Sequence, residues 1–440
     1  MNNRKLFLLI LCTMLLLAGS WLVRGQVAGM GLLDAVFGPA EPPAPDIMPP
    51  DQQIAFWSGR LRPNTQDYIT LTNLGRAYLM QGRETGDAAA YTRAEEALHR
   101  ALELNGRYEP ARALLGSVLI SNHQFGEALA AAEAALAGAP DSLQALAAAG
   151  DAHLELGDYA AAEQAYRRLL DAAPGGPVYS RMSRLSWLRG RPDEAIDWMR
   201  RAADEMVVLD LGGEELAWYR FQLGELYFNS GDVRRAAKWY READEALPGY
   251  YLALAGRGKA AAARGDLDEA IADYEALVER LPQPGFLAFL GDLYALRGNT
   301  DAARMQYDTV ALIHELDEGQ GVLYNRHMAL FFANHNTQVE KALVYAEGEL
   351  AARQDIYAYD TLAWVLYRLG RLDKARAAAD KALALGTQDA ALYYHAGLIR
   401  AAQGDDKAAA DYLSRALELN PHFDLIQAEV VRETLASLED

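Results

Sequence analysis

Residues 224–248 read GELYFNSGDVRRAAKWYREADEALP. A small residue, Gly224, is followed by Gly231 seven positions on, Ala236 twelve on and Tyr240 sixteen on, then by Ala243 and Pro248. Gly231 suits the end of a helix, where the chain must enter the left-handed region. Pro248 cannot continue a helix and stops the next one. The stretch therefore predicts a helix, a tight turn and a second, antiparallel helix. Gly224 and the alanines let the two backbones approach closely, and Tyr240 fills the gap left between neighbouring units.

The same pattern runs outward in both directions. Gly75, Gly116, Gly150, Ser183, Gly224, Gly258, Gly291, Ala329, Ala363 and Gly397 recur at intervals of 41, 34, 33, 41, 34, 33, 38, 34 and 34. Seven positions after most of them stands Gly82, Gly157, Gly190, Gly231, Gly265, Gly298, Gly370 or Gly404, with Asn336 in the eighth unit. A fixed period in the thirties marks a repeat solenoid. One hairpin cannot bury its apolar face alone, so the units stack and share a core. A single globular core rarely exceeds roughly 250–300 residues; a solenoid of 440 residues escapes that bound because each unit touches only its neighbours. The expected fold is all-α: an α-solenoid of about ten helix-turn-helix units, closed by an amphipathic capping helix near Phe423–Leu438.

Gly224, Tyr227, Ala236, Tyr240, Ala243 and Pro248 resemble the tetratricopeptide repeat (TPR) pattern, and the resemblance spans about residues 68 to 421. It implies a scaffold that binds protein or peptide partners in an inner groove lined by the first helix of each unit. Carried over position by position, the groove residues would be Asn73 and Arg76 in unit 1, and Arg181, Arg184 and Trp187 in unit 4. Unit 5 would add Trp218, Phe221, Gln222, Glu225, Phe228 and Asn229. Unit 9 would add Tyr357, Asp360, Trp364 and Tyr367, and unit 10 Tyr394 and His395. Trp, Tyr and Arg are the usual anchors of an interface. The Lys/Asn/Arg set with which some relatives clamp a terminal carboxylate is missing: unit 2 has Ala113, Leu114 and Ser117, and unit 3 has Ala147, Ala148 and Asp151.

Formal net charge is −19, from 61 acidic and 42 basic residues. Nucleic acid needs a basic stripe for its phosphates, and anionic lipid needs a polybasic patch, so neither is expected as an electrostatic partner. The one cysteine, Cys12, lies outside the repeats, which leaves no disulfide framework, thiol nucleophile or cysteine metal site in them.

Residues 6–23, LFLLILCTMLLLAGSWLV, follow Arg4 and Lys5. Eighteen apolar residues reach across a bilayer core as a helix; a signal peptide cleaved after Ala18-Gly19-Ser20 is the alternative. Between Val23 and Arg60 the only basic residue is Arg24, so the positive-inside rule sends the body across the membrane in either case. Residues 1–25 are read as anchor or signal, 26–60 as a proline-rich extended linker, 61–421 as the repeat array and 422–440 as the cap. The expected location is the cytoplasmic membrane, single-pass with an extracytoplasmic body, or secreted or periplasmic after cleavage. Three insertions break the period, near 82–89, 207–213 and 316–321. Each is either a loop, often on a binding face, or an added helical turn.

No Gly-x-Ser-x-Gly elbow, phosphate loop or His-Glu-x-x-His is present. His314, His327 and His335 lie close in sequence, without the acid or cysteine spacing a metal needs. No cofactor and no catalytic residue are expected. The segments 360–370 and 417–423 look like the closing units of large bacterial TPR proteins, which often serve envelope assembly, polysaccharide export or membrane complexes. The expected function is a non-enzymatic, membrane-anchored scaffold. The alternatives are an accessory subunit of a transporter or secretion complex, and a carbohydrate-binding protein or enzyme using the aromatic groove near Trp218 and Trp364. The sequence carries no signal for an oligomeric state.

Overall fold

A computed structural model describes residues 48–61, 67–319 and 325–439. The chain divides into two bodies, residues 1–56 and 57–440. The stretch read as anchor or signal lies outside the described residues. Helix α1 (Pro50–Arg60) falls inside the segment read as an extended linker. It opens with Pro50 in the first turn, where a missing N–H costs nothing.

Residues 68–439 form ten helix pairs and a final helix, with no strand among the described residues. Units 1–3 are α2 (Tyr68–Thr85) with α3 (Ala88–Leu104), α4 (Glu109–Ser121) with α5 (Phe125–Gly138), and α6 (Leu143–Leu156) with α7 (Tyr159–Ala172). Units 4–6 are α8 (Gly176–Leu188) with α9 (Pro192–Val208), α10 (Glu214–Asn229) with α11 (Val233–Ala246), and α12 (Tyr251–Ala263) with α13 (Leu267–Arg280). Units 7–10 are α14 (Pro284–Leu296) with α15 (Thr300–Gly319), α16 (Asn325–Asn334) with α17 (Val339–Ala352), α18 (Ile356–Arg368) with α19 (Leu372–Ala382), and α20 (Ala390–Ala402) with α21 (Asp406–Leu419). The capping helix is α22 (Gln427–Glu439). Its Val431 is fully buried against the last units, whereas Ile426, inside the stretch read as the capping helix, precedes the helix and is exposed.

The turn signal holds in local detail. Gly157, Gly231 and Gly404 take positive φ. The aspartate after each, Asp158, Asp232 and Asp405, accepts from the backbone amide three residues on. One helix is thus closed and the next capped within two residues. Unit 1 departs from the expectation. Gly82 is buried inside α2, and the left-handed residue is Gly86, four positions later. The first insertion is therefore an added helical turn. In unit 2 the turn position is filled by His123, at φ 60°.

Between the helices of a unit, a ring is laid on a glycine. The Tyr240 side chain, fully buried, sits between Gly224 of its own unit and Gly256 of the next, and a Cβ on either glycine would overlap it. Tyr166 lies on Gly150, Tyr274 on Gly258 and Tyr307 on Gly291 in the same way. Each buried hydroxyl needs an acceptor. In units 3, 5 and 7 the residue after the small one supplies it: Tyr166 donates to Asp151 at 2.9 Å, Tyr240 to Glu225 at 2.5 Å and Tyr307 to Asp292 at 2.7 Å.

The units wind so tightly that the second superhelical turn rests on the first. The within-unit turns of units 1, 3, 4 and 5 meet the between-unit junctions that follow units 6, 8, 9 and 10, at sequence separations of 192 to 199 where hydrogen bonds join them. Gln283 Nε2 donates to the Gly86 carbonyl. In unit 2, the Phe125 ring lies 4.9 Å under the Arg353 guanidinium. The Gln354 amide donates to Leu156, and the Ile356 amide to the Tyr159 hydroxyl. Thr387 Oγ1 donates to the Leu188 carbonyl, and Asn420 Nδ2 to that of Phe228. Thr387, Asn420 and Arg353 are all buried. Gly157 and Gly190 abut the carbonyls of Gln354 and Gly386, so neither has room for a Cβ. Gly265, Gly298, Gly370 and Gly404, the corresponding turns of the second half, have nothing near them.

Arg353 is the electrostatic centre of this seam. Its guanidinium pairs with Glu155 of the first turn at 2.7 Å, and with Glu349 at 2.5 Å and Asp355 at 3.1 Å of the second. Arg326 stands by the same two second-turn carboxylates at 3.8 and 3.5 Å. Burial pushes the Glu155 and Glu349 carboxyls above the usual range despite these cations.

Two outcomes are expected from the seam. Gly370→Ala should cost about 1–2 kcal/mol for its left-handed backbone, and Gly157→Ala or Gly190→Ala a further ~1–3 kcal/mol for the overlap. Denaturant titration, with hydrogen exchange at the Gln354 and Ile356 amides, measures both; equal losses at all three positions would show that the turns do not touch. Arg353→Ala should cost about 3–5 kcal/mol at neutral pH by stranding buried carboxylates. Because the folded pKa values of Glu155 and Glu349 lie above their unfolded ones, protonation favours the folded state. The defect should therefore shrink as pH falls toward the carboxylate range, which melts of the variant and the parent chain at stepped pH would check.

Candidate functional site

The residues assigned to an inner groove fall into three groups. The first is consumed by packing. Trp187 is buried, and Trp364 and Tyr394 are each 2 % exposed. Trp364 is stacked between Tyr367 at 5.0 Å and His395 at 4.3 Å, and its Nε1 donates to Asn334 at 2.8 Å. His395 Nδ1 faces both oxygens of the buried Asp360 at 2.9 and 3.0 Å. Tyr357 on the same helix donates to Asp389 at 3.2 Å, and burial raises the Asp389 carboxyl. Asp360 and His395 lie 35 residues apart, in units 9 and 10, and hold those two units together.

The second group is engaged by ion pairs or by the other turn. Arg181 grips Asp151 with two nitrogens, at 2.8 and 2.7 Å. Glu225 accepts from Tyr240 and pairs with Lys259 at 2.7 and 2.8 Å. Arg184, on the first turn, lies 5.5 Å from the ring centre of Tyr357 on the second.

The third group is open. Arg76 is exposed, and Asn73 is half-buried. On α10, Trp218, Phe221, Gln222 and Asn229 are half-buried, as is Tyr367 on α18. The Trp218 ring sits edge-on to Tyr219 at 5.5 Å, and Phe221 lies 5.9 Å from Tyr240. These aromatics are braced by the core yet partly reachable, as interface anchors are. Phe228, named with them, is instead buried under the Lys259 ammonium at 4.3 Å.

The sequence reading passed over one concavity. A crevice of ≈ 150 Å³ opens where α10, α12 and α14 meet the loop before the cap, lined by Phe228, Lys259, Phe289, Phe423, Asp424 and Arg432 among others. Burial raises the Asp424 carboxyl, which accepts from the Ile426 and Gln427 amides. No sequence signal joins residues so far apart; the superhelical turn does. Among the described residues no cluster of three or more metal-ligating side chains occurs, and no helix is long and apolar enough to cross a membrane.

Comparison with known proteins follows this geometry. Tetratricopeptide repeat models match residues 114–177, 252–320 and 361–422, and further models of the same repeat match 178–201 and 219–248. No curated protein matches the chain. Among solved structures, yeast Tom70 aligns with 13% identity over 89% of this chain and 93% of its own, at a TM-score of 0.38. A human IFIT1 dimer with PPP-AAAA aligns with 14% identity over 84% and 94%, at 0.43. YrrB, described as a TPR protein with an unusual peptide-binding site, aligns with 21% identity over 44% and 96%, at 0.29. With its ten helix pairs, its ring-on-glycine packing and these matches along the array, the chain belongs to the tetratricopeptide repeat family.

Proposed function

We propose that this protein is a non-enzymatic scaffold that holds a protein or peptide partner against the inner helices of its first superhelical turn. One observation carries the reading. Trp218, Phe221, Gln222 and Asn229 on α10 stay partly open, while Asp360 and Tyr394, which match Phe221, and His395, which matches Gln222, are spent on packing in units 9 and 10. The open anchors are aromatic and amide. That chemistry suits an extended segment offering apolar side chains and backbone carbonyls. In this proposal the apolar residues 6–23 tether the scaffold to the outer face of a cytoplasmic membrane, where it serves an envelope or polysaccharide assembly.

A photo-crosslinking residue at position 218 of the full chain in its native membrane should join a discrete polypeptide, while the same residue at Val344 should not. Trp218→Ala with Phe221→Ala should weaken the recovered complex by roughly 30-fold or more, the loss of one hot spot of about 2 kcal/mol. Saturable heat of binding to a glycan panel, abolished by Trp218→Ala, would instead make the aromatic groove a sugar site.

A further inference from the structure

The exposed apolar residues of the array are not spread evenly. The second insertion, between units 4 and 5, ends α9 in a knob: Val207 is 55 % exposed, Val208 82 %, Leu209 58 % and Leu211 49 %. The knob is an ordered turn. Leu209 donates to Glu205, Asp210 to Val207, and Leu211 to Met206. Asp210 takes a left-handed φ of 54°, a backbone cost for a residue other than glycine. Buried Met206 anchors its base, and Gly212 and Gly213 beyond it have no neighbour within 4 Å. Four apolar side chains are thus held outward on a rigid tip, an arrangement that marks an interaction site.

The position of the tip says what it meets. Within-unit turns lie along one edge of the array and between-unit junctions along the other. The junctions after units 6, 8, 9 and 10 are covered, because they rest on units 1, 3, 4 and 5. The junction edge of the first turn is left open, and the knob projects from it. Ile69 at the start of α2, Leu104 at the end of α3 and Leu143 at the start of α6 are exposed at the same edge. Tyr68 opens α2 there too, and Leu61 packs on the same cluster as Tyr68 and Tyr108. The chain therefore enters the array at the edge that carries the knob.

We infer that the first turn's open junction edge lies on the lipid bilayer, with Val207–Leu211 inserted at its apolar boundary. This rests on the tether assigned above to residues 6–23. Asp204, Glu205, Asp210, Glu214 and Glu215 surround the knob, so the surface it suits is a zwitterionic one. Insertion is driven by apolar burial alone, without the polybasic attraction of an electrostatic membrane site. The edge orients the scaffold, standing its superhelical axis off the membrane and turning units 6–10 away from it.

The test uses the full chain reconstituted in phosphatidylcholine bilayers, with a nitroxide at one cysteine at a time. Native Cys12 serves as it stands; Val208→Cys and Val344→Cys are made with Cys12→Ser. Relaxation by oxygen, which concentrates in lipid, is compared with relaxation by a water-soluble nickel chelate. Oxygen should dominate at 12 and 208, and the chelate at 344. Aqueous behaviour at 12 would overturn the tether and the inference with it. Lipid at 12 with water at 208 would overturn the inference alone. Dipolar broadening between 208 labels, with neither relaxant reaching them, would show a second copy on the knob and also overturn it. Should Val208→Cys not fold, Val207→Cys, on the same tip, gives the same reading.

Discussion

Everything in this array depends on a ring pressed against a helix backbone. Tyr240 fills the space that Gly224 and Gly256 leave by having no side chain, and its hydroxyl is satisfied by Glu225 without leaving the core. The contact brings the two helices of a unit together and sets where the next unit begins. Protein interiors are close-packed, so a contact of this kind tolerates little adjustment. Repeated in units 3, 5, 6 and 7, it sets the rotation between neighbours there.

The superhelical pitch has a consequence that no single unit shows. After about five and a half units the chain comes back over itself, and junction loops that would face water in a looser solenoid become buried. The first turn's junctions carry Pro140, Pro174 and Pro248, which have no amide to offer. The second turn's carry Gln283, Thr387 and Asn420, and each donates to a carbonyl of the first turn. Arg353 does the same with charge, and Phe125 beneath it covers the guanidinium. Many family members bind with their inner surface. Here part of that surface, Arg184 against Tyr357 for one, is engaged by the protein itself.

The repeat period made the fold legible. Gly157, Gly231 and Gly404 close helices where the spacing predicts, and Tyr166, Tyr274 and Tyr307 pack as architecture. The acids that receive the tyrosine hydroxyls were visible as well, one residue after Gly150, Gly224 and Gly291, though unread as partners. Gly82 misled because an added turn of helix preserves its residue type while moving its role to Gly86. The groove assignments were legible only as positions. Trp364 and Trp218 both fall at positions assigned to the groove, yet one is sealed by His395 and the other is half-open.

The sequence by itself determined the unit, its turn and its stacking, because those depend on contacts within about 34 residues that recur and so reinforce one another. Only the tertiary structure decided which edge is covered and which is bare, because that follows from small rotations summed over half the chain. A residue's partner nearly 200 positions away leaves no periodic trace, as Thr387 and Leu188 show.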